Sequence, residues 1–226
     1  MKIGVDSVLL GSFVNSYLDQ NTPVITPSKI LDVGSGSGVL SLMLAQKFPS
    51  SQITGIDLDT KSLEKSKENI TNSPFHNSFI SIQGNYLEYE FNCIYDLVIS
   101  NPPFYPEDVV SSNIQRQIAR SSKHLPLLEL LRKTKNILSP SGAFYLCYPA
   151  SDNLEQIIQN AGWKIQSKLS LVKNSTSAPT RCFLHLVCKN NLNINAVIDT
   201  QISIEKERGK YTPQYIALTK DYYLNF

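Results

Sequence analysis

The sequence predicts an α/β fold built on a seven-stranded, mostly parallel sheet, with the last strand antiparallel and helices on both faces. Three observations support this prediction. Short apolar runs alternate with helical patterns along the chain, and the first of these runs leads into a glycine-rich turn that opens a helix. Two late strand patterns, at about residues 163–172 and 181–188, are joined by a loop, which fits a reversed final strand.

Length and composition favour a single domain, because 226 residues with 42% apolar composition suffice for one sizeable core. We expect residues 1–226 to form it, with a helical lead-in (1–28), a core (29–190) and a C-terminal strand and helix (191–226). No apolar run of about 18 residues and no basic-then-apolar leader occur, so we expect a soluble, cytoplasmic protein without a membrane partner. The four cysteines form no C-x-x-C pair and are expected to be free thiols rather than metal ligands.

The first strand-turn-helix unit has a glycine-rich turn that suits a bound ligand. Asp32 stands near the end of the strand, and Gly34, Gly36 and Gly38 follow at alternate positions. Glycines let the backbone approach a ligand closely. A nicotinamide-dinucleotide fingerprint would need its third glycine where this chain has Val39, so the pattern D-x-G-x-G-x-G departs from that fingerprint.

The next two strands also end in polar residues. Asp57 ends the second strand, where a carboxylate can accept hydrogen bonds from both hydroxyls of a ribose, which supports an adenosine cofactor. Asp59 is predicted to cap the helix that follows. After the third strand, Asn85 has two open interpretations: its amide oxygen accepts a hydrogen bond from a cofactor amino group, or it stabilises a simple turn.

The segment Asn101-Pro102-Pro103-Phe104 poses the sharpest chemical question. It follows an apolar, β-branched run typical of a buried strand, and two prolines without backbone N–H groups end that strand. The Asn101 amide oxygen and a proline carbonyl are then two fixed acceptors beside an aromatic ring. Two such acceptors can each accept a hydrogen bond from one N–H group of a planar amine. This pulls the nitrogen toward tetrahedral geometry and frees its lone pair. The alternative is a strand-ending loop in which the asparagine merely caps a turn.

Charge is distributed unevenly along the chain. Residues 1–104 contain 6 Lys/Arg and 10 Asp/Glu, whereas residues 105–226 contain 15 and 9. Between Arg116 and Lys135, six bases stand against a single acid, Glu129. A phosphate-binding surface and a solvated basic helix face both explain this segment.

Several further elements are predicted from local signals. Asp6 is expected to cap an N-terminal helix, and Thr212 followed by Pro213 is expected to start a C-terminal one. The segment 139–142 is expected to form a turn between a helix and a strand. His185 lies inside a strand pattern and is interpreted as a core histidine rather than a catalytic one.

Together these motifs resemble one family, the tRNA(Val) adenine-N6 methyltransferases that modify the adenosine immediately 3′ of the anticodon. The resemblance covers nearly the whole chain. The opening and closing segments best distinguish this family from other methyltransferases, because the glycine turn and the Asn-Pro-Pro-Phe motif are shared with release-factor glutamine and rRNA guanine-N2 methyltransferases. The motifs that carry it are Lys2-x-Gly4-x-Asp6-x-x-Leu9-Leu10-Gly11, Leu31-Asp32-Val33-Gly34-x-Gly36-x-Gly38, Asn101-Pro102-Pro103-Phe104, Arg116-x-x-Ala119-Arg120 and Tyr211-x-x-x-Tyr215-x-x-Leu218-Thr219-x-x-Tyr222-Tyr223.

The resemblance implies a Rossmann-like class I methyltransferase fold, the methyl donor S-adenosyl-L-methionine, and a monomer without metal that methylates N6 of adenosine 37 of tRNA(Val). The implied catalytic residues are Asn101, Pro102, Pro103 and Phe104. The implied cofactor contacts are Lys2, Asp6, Asp32, Gly34, Gly36, Gly38, Asp57, Leu58, Asn85 and Asn101. The implied RNA contacts are Phe104, Tyr105, Arg116, Arg120 and Lys123.

Two other functions stay open at this stage. One is methylation of another planar amine, such as guanine N2 or adenine N6 of rRNA, or a glutamine amide of a release factor. The other is a non-enzymatic Rossmann-type module that binds RNA or a nucleotide. The intact Asn-Pro-Pro-Phe segment favours an enzyme over that binding module.

Overall fold

A computed structural model describes residues 4–16, 18, 26–103, 125–174, 176–188 and 197–224. The elements up to the fourth strand are α1 (Val5–Phe13), β1 (Lys29–Val33), α2 (Val39–Lys47), β2 (Gln52–Asp57), α3 (Thr60–Thr71), β3 (Phe79–Gln83) and β4 (Tyr95–Ser100). Those that follow are α4 (Leu127–Ile137), β5 (Leu138–Pro149), α5 (Leu154–Asn160), β6 (Trp163–Leu171), β7 (Arg181–Cys188), β8 (Ile198–Ile202), β9 (Glu205–Glu207), β10 (Lys210–Tyr211) and α6 (Pro213–Thr219). Short 3₁₀ turns lie at His76–Ser78 and Lys220–Tyr222.

One large sheet organises the fold. Within the described ranges it has eight strands in the order β3-β2-β1-β4-β5-β7-β6-β8. Strand β7 runs antiparallel to both of its neighbours, and all the other strand pairs of this sheet are parallel. The predicted α/β fold with a reversed β7 is therefore confirmed, and β8 extends the sheet beside β6. Strands β9 and β10 form a separate hairpin.

Alternate residues of the central strands pack into two cores, one on each face of the sheet. In β5, Phe144 and Leu146 belong to one core, and Tyr145 and Cys147 belong to the other. This is the two-residue period of a strand buried on both faces. Helices α4 and α5 cover the first face, and α1, α2 and α6 cover the second. Each fully buried Leu, Ile or Phe contributes about 1.5–3 kcal/mol to this packing.

Local signals predict several elements correctly. The Asp59 side chain caps α3 by accepting a hydrogen bond from the Ser62 N–H at 2.9 Å. Thr212 caps α6 in the same way, and Pro213 is the first helical residue. His185 is buried, with its Nδ1 3.3 Å from the hydroxyl of Tyr145, which confirms its interpretation as a core residue.

Two local predictions are wrong. The N-cap of α1 is Gly4, and Asp6 lies within the first turn, where its carboxylate accepts a hydrogen bond from Arg181 Nε at 3.3 Å. The predicted turn at 139–142 lies inside β5 instead. Tyr95 of β4 pairs with Leu138, whereas the residue two positions after Tyr95 pairs five positions after Leu138, so the segment between them bulges out of the ladder.

Candidate active site

The register of the parallel strands brings three loops together at one edge of the sheet. Val33, the last residue of β1, pairs both with Ser100 at the end of β4 and with Ile56 near the end of β2. Gly34 and Asn101 therefore leave adjacent strands at the same level. Strand order reverses between β1 and β4, and in open α/β sheets ligands bind in the crevice at such a point.

The glycines after β1 serve two different purposes. Gly34 has φ +73°, and a Cβ added to it would meet no atom within 4 Å, so its surroundings are open to a ligand. Gly38 has φ +80°, but an added Cβ would lie 2.6 Å from Ser66 Oγ of α3. Gly34 thus leaves a cradle at the sheet edge, and Gly38 allows close packing between α2 and α3. Gly36 also has positive φ, at +54°.

Asp57 is held rigidly at the end of β2. Its Oδ2 accepts a hydrogen bond from the Gly36 N–H at 2.8 Å, and its Oδ1 accepts one from the Asp59 N–H at 2.9 Å. Each carboxylate oxygen has a further lone pair, so the group can still accept hydrogen bonds from hydroxyls of a ligand. The next residue, Leu58, is half exposed and offers an apolar contact beside this carboxylate.

Asp32 carries a buried carboxyl group beneath the glycine turn. Its Oδ2 accepts a 2.7 Å hydrogen bond from Ser41 Oγ, whereas its Oδ1 has no hydrogen-bond partner among the described residues. The pKa of this carboxyl is raised from 3.8 to about 7: burial is the main cause, the Ser41 hydrogen bond opposes it, and the nearby Asp57 charge adds to the rise. An unpaired buried carboxylate oxygen favours a cationic or hydrogen-bond-donating ligand group.

Asn85 forms the turn that follows β3. Its Oδ1 accepts a hydrogen bond from the Leu87 N–H at 3.1 Å, so the turn interpretation describes the contact that the side chain makes. Asn85 could also contact a ligand through the second lone pair of its amide oxygen or through its amide N–H groups.

Asn101 stands directly after β4 and is half buried. Its Nδ2 donates a hydrogen bond to Ser7 Oγ at 2.9 Å, which leaves Oδ1 as the acceptor on the other side of the amide. The preceding Ser100 is anchored by a 2.9 Å bond from its hydroxyl to the Val33 carbonyl. Pro102 is buried and Pro103 is exposed. The arrangement presents a fixed amide acceptor next to the cradle at Gly34.

Sequence reasoning missed Ser7, Ser41 and Arg181, which contact three of the predicted residues. Ser7 is adjacent to Asp6 in the opening motif, and no local pattern indicates that it reaches Asn101. The predicted site residues Lys2, Phe104, Tyr105, Arg116, Arg120 and Lys123 lie outside the described part of the chain.

The fold is that of a class I, Rossmann-like methyltransferase. A family model described as "Methyltransferase small domain" matches residues 11–168. The chain belongs to the family of tRNA1(Val) (adenine(37)-N6)-methyltransferases: the member from Flavobacterium psychrophilum is 33% identical to it over 99% of this chain and 93% of that protein.

Solved structures agree on the fold. A predicted O-methyltransferase from Agrobacterium tumefaciens superposes with a TM-score of 0.63 at 14% identity, over 96% of each chain. The glycopeptide N-methyltransferase MtfA complexed with S-adenosyl-L-methionine superposes with a TM-score of 0.54 at 12% identity, over 79% of this chain and 93% of that one.

In the described segments, no cluster of three or more His, Cys, Asp or Glu side chains could hold a metal ion. No helix in those segments is both long enough and apolar enough to cross a membrane.

Proposed function

We propose that this protein transfers a methyl group from S-adenosyl-L-methionine to N6 of adenosine 37 of tRNA(Val). The observation that carries the proposal is the Asn101 amide, whose Nδ2 is bonded to Ser7 and whose Oδ1 is left as an acceptor at the sheet's ligand-binding edge. The name of the relative from Flavobacterium psychrophilum supplies the particular nucleotide and tRNA. The enzyme would act in the cytoplasm, where it meets tRNA.

The residues at the carboxyl edge fit S-adenosyl-L-methionine. Gly34 leaves open space for the amino-acid end of the cofactor, and the unpaired Oδ1 of Asp32 suits its cationic ammonium group. Asp57 accepts hydrogen bonds from the ribose hydroxyls, and Leu58 and Asn85 border the adenine. When bound, the cofactor supplies an electrophilic methyl group. Lys2, Asp6, Gly36 and Gly38 complete the proposed set of contacts.

Asn101 prepares the adenine amino group for attack. The N6 lone pair is delocalised into the purine ring, so the amine is a poor nucleophile. The Asn101 Oδ1 and the Pro102 carbonyl accept hydrogen bonds from the two N–H groups of N6. The nitrogen lone pair then becomes available and points in one direction. A preorganised acceptor of this kind stabilises positive charge as it develops on the nitrogen. Pro103 helps to keep the loop stiff, because φ is fixed at both prolines.

The proposed RNA contacts are an aromatic platform and a basic segment. An adenine that is stacked in the anticodon loop cannot present N6 to the cofactor, so we expect it to leave the stack. Phe104 and Tyr105 are the aromatic residues proposed to hold the extruded base. Arg116, Arg120 and Lys123 are the residues proposed to contact phosphates.

The proposal is tested with purified protein, labelled S-adenosyl-L-methionine and a tRNA(Val) transcript, followed by nucleoside analysis. We expect N6-methyladenosine in the transcript and none in a matched transcript with guanosine at position 37. Asn101→Ala should slow single-turnover methyl transfer by about 100-fold or more, with little change in binding of the cofactor product S-adenosylhomocysteine.

Either of two results would contradict the proposal. One is methylation of the guanosine-37 transcript at the same rate, which would show that the methylated nucleotide is not adenosine 37. The other is parental single-turnover rate in Asn101→Ala, which would remove the amide from the reaction. Release factor and rRNA, supplied in parallel, test the alternative planar amines.

A further inference from the structure

The first helix contributes a side chain to the candidate active site from 94 positions earlier in the chain. Ser7, in the first turn of α1, accepts the Asn101 Nδ2 hydrogen bond at 2.9 Å. The contact is partly buried, so water competes for it less than it would at an open surface. Ser7 therefore touches the residue proposed to bind the substrate amine, on the side of the amide away from the free oxygen.

Helix α1 is fixed in place at both ends. Near its start, the Asp6 carboxylate pairs with Arg181 of β7. At its end, Lys47 Nζ donates hydrogen bonds to the backbone carbonyl oxygens of Gly11, at 3.3 Å, and Val14. The side chains of Leu9, Leu10 and Phe13, which lie between these anchors, are completely buried. Ser7 is thus carried by a rigid element and can impose its position on Asn101.

The orientation of the Asn101 amide decides what the site presents to an amine. A rotation of 180° about the last side-chain bond exchanges the oxygen and the NH₂ group. With Nδ2 bonded to Ser7, the amide shows an acceptor to the substrate. In the reverse orientation it shows a donor instead. A serine hydroxyl both donates and accepts, so Ser7 can bond the amide in either orientation, and what the contact fixes is the position of the amide at the sheet edge.

We propose that Ser7 is a positioning residue that holds the Asn101 side chain in place beside the substrate amine, an inference that rests on the proposed function. The effect reaches the reaction only through Asn101. A neutral hydrogen bond of this kind favours the bonded side-chain position over the alternatives by about 3- to 10-fold. Removing it should therefore reduce the fraction of enzyme that is ready for transfer, and leave the cofactor contacts intact.

The main test compares single-turnover methyl transfer to the tRNA(Val) transcript in Ser7→Ala and the parent. We expect the rate to fall by about 3- to 10-fold, with parental affinity for S-adenosylhomocysteine and for the tRNA, and Ser7→Thr should restore most of the rate. In the Asn101→Ala background, Ser7→Ala should cause no further loss, because the two residues act as a unit. Ser12→Ala is the matched control, since Ser12 lies buried in the same helix and its hydroxyl has no hydrogen-bond partner among the described residues.

A second measurement needs no substrate. The side-chain amide signals of Asn101 in the NMR spectrum, assigned by their loss in Asn101→Ala, should exchange with solvent faster in Ser7→Ala than in the parent or Ser12→Ala. Unchanged exchange, an unchanged rate, or an equal rate loss in the Asn101→Ala background would each overturn the positioning role. A parent protein that leaves the tRNA unmethylated would overturn the proposed function instead, and the exchange measurement would still decide whether Ser7 holds the amide.

Discussion

Replacing Asp32 by Asn should change how the stability of the protein depends on pH. The pKa of the Asp32 carboxyl rises from its ordinary 3.8 to about 7 because the group is buried. One pKa unit corresponds to about 1.4 kcal/mol, so ionising Asp32 in the folded protein costs on the order of 4 kcal/mol. The folded state keeps this proton between about pH 4 and pH 7, where the unfolded state has lost it. The free energy of unfolding contributed by Asp32 therefore falls as pH rises through that range and is constant above it.

Asp32→Asn cannot ionise, and its neutral amide resembles the protonated acid in size. The stability of the variant relative to the parent should therefore increase by roughly 3 kcal/mol between about pH 5 and pH 8. Urea unfolding measures it, with the buried Trp163, the single tryptophan of the chain, as the fluorescence reporter. Ser41→Ala is a useful companion, since loss of its hydrogen bond should raise the Asp32 pKa further and extend the decline above pH 7. A difference between Asp32→Asn and the parent that stays constant with pH would refute the reasoning.

Two further predictions separate binding from folding. Asp57→Ala should weaken S-adenosylhomocysteine binding in calorimetry by roughly 1.5–3 kcal/mol. Asp59→Ala should instead cost about 1 kcal/mol of stability, because its helix cap is lost, and leave the affinity unchanged. Equal losses of affinity in the two variants would contradict the assignment of the ribose hydroxyls to Asp57. Gly34→Ala should lower cofactor affinity at least about 10-fold and cost about 1–2 kcal/mol of stability for its positive φ, whereas Gly38→Ala should destabilise more, because its Cβ also meets α3. Urea unfolding checks this, and the reverse order of stabilities would contradict it.

The regular parts of the fold could be predicted because their signals are local. The apolar, β-branched run of β4 and the alternation in β5 reflect burial on both faces, which each strand's own sequence records. The helix caps at Asp59 and Thr212 likewise depend only on residues within four positions of the capping residue. The turn predicted at 139–142 failed because pairing with β4 extends β5 back to Leu138, and the segment is accommodated as a bulge. Tertiary pairing overrode the local turn chemistry there.

The site could be predicted only as far as strand ends allow. Parallel strands bring their carboxyl ends to one edge, where Asp57 ends β2 and Asn101 follows β4, both beside the glycine turn. The hydrogen-bond partners of the site residues could not be predicted from the sequence. Asp6 was expected to cap its own helix, but it meets Arg181, which is 175 positions later in the chain. Ser7 meets Asn101 across a gap of 94 positions, and no periodicity encodes such contacts.

The contact between α1 and α6 has a consequence for how the protein is made. Tyr215 of α6 packs into the same core as Leu9 and Phe13 of α1, so the last helix covers the first one. Roughly 200 residues separate the two, and a ribosome that adds about 5–20 residues per second needs on the order of 10–40 s to make them. Until then the part of the α1 surface that α6 covers lacks this packing, although α2 already packs against α1. The second core is therefore completed only after Tyr215 and Leu218 have been synthesised.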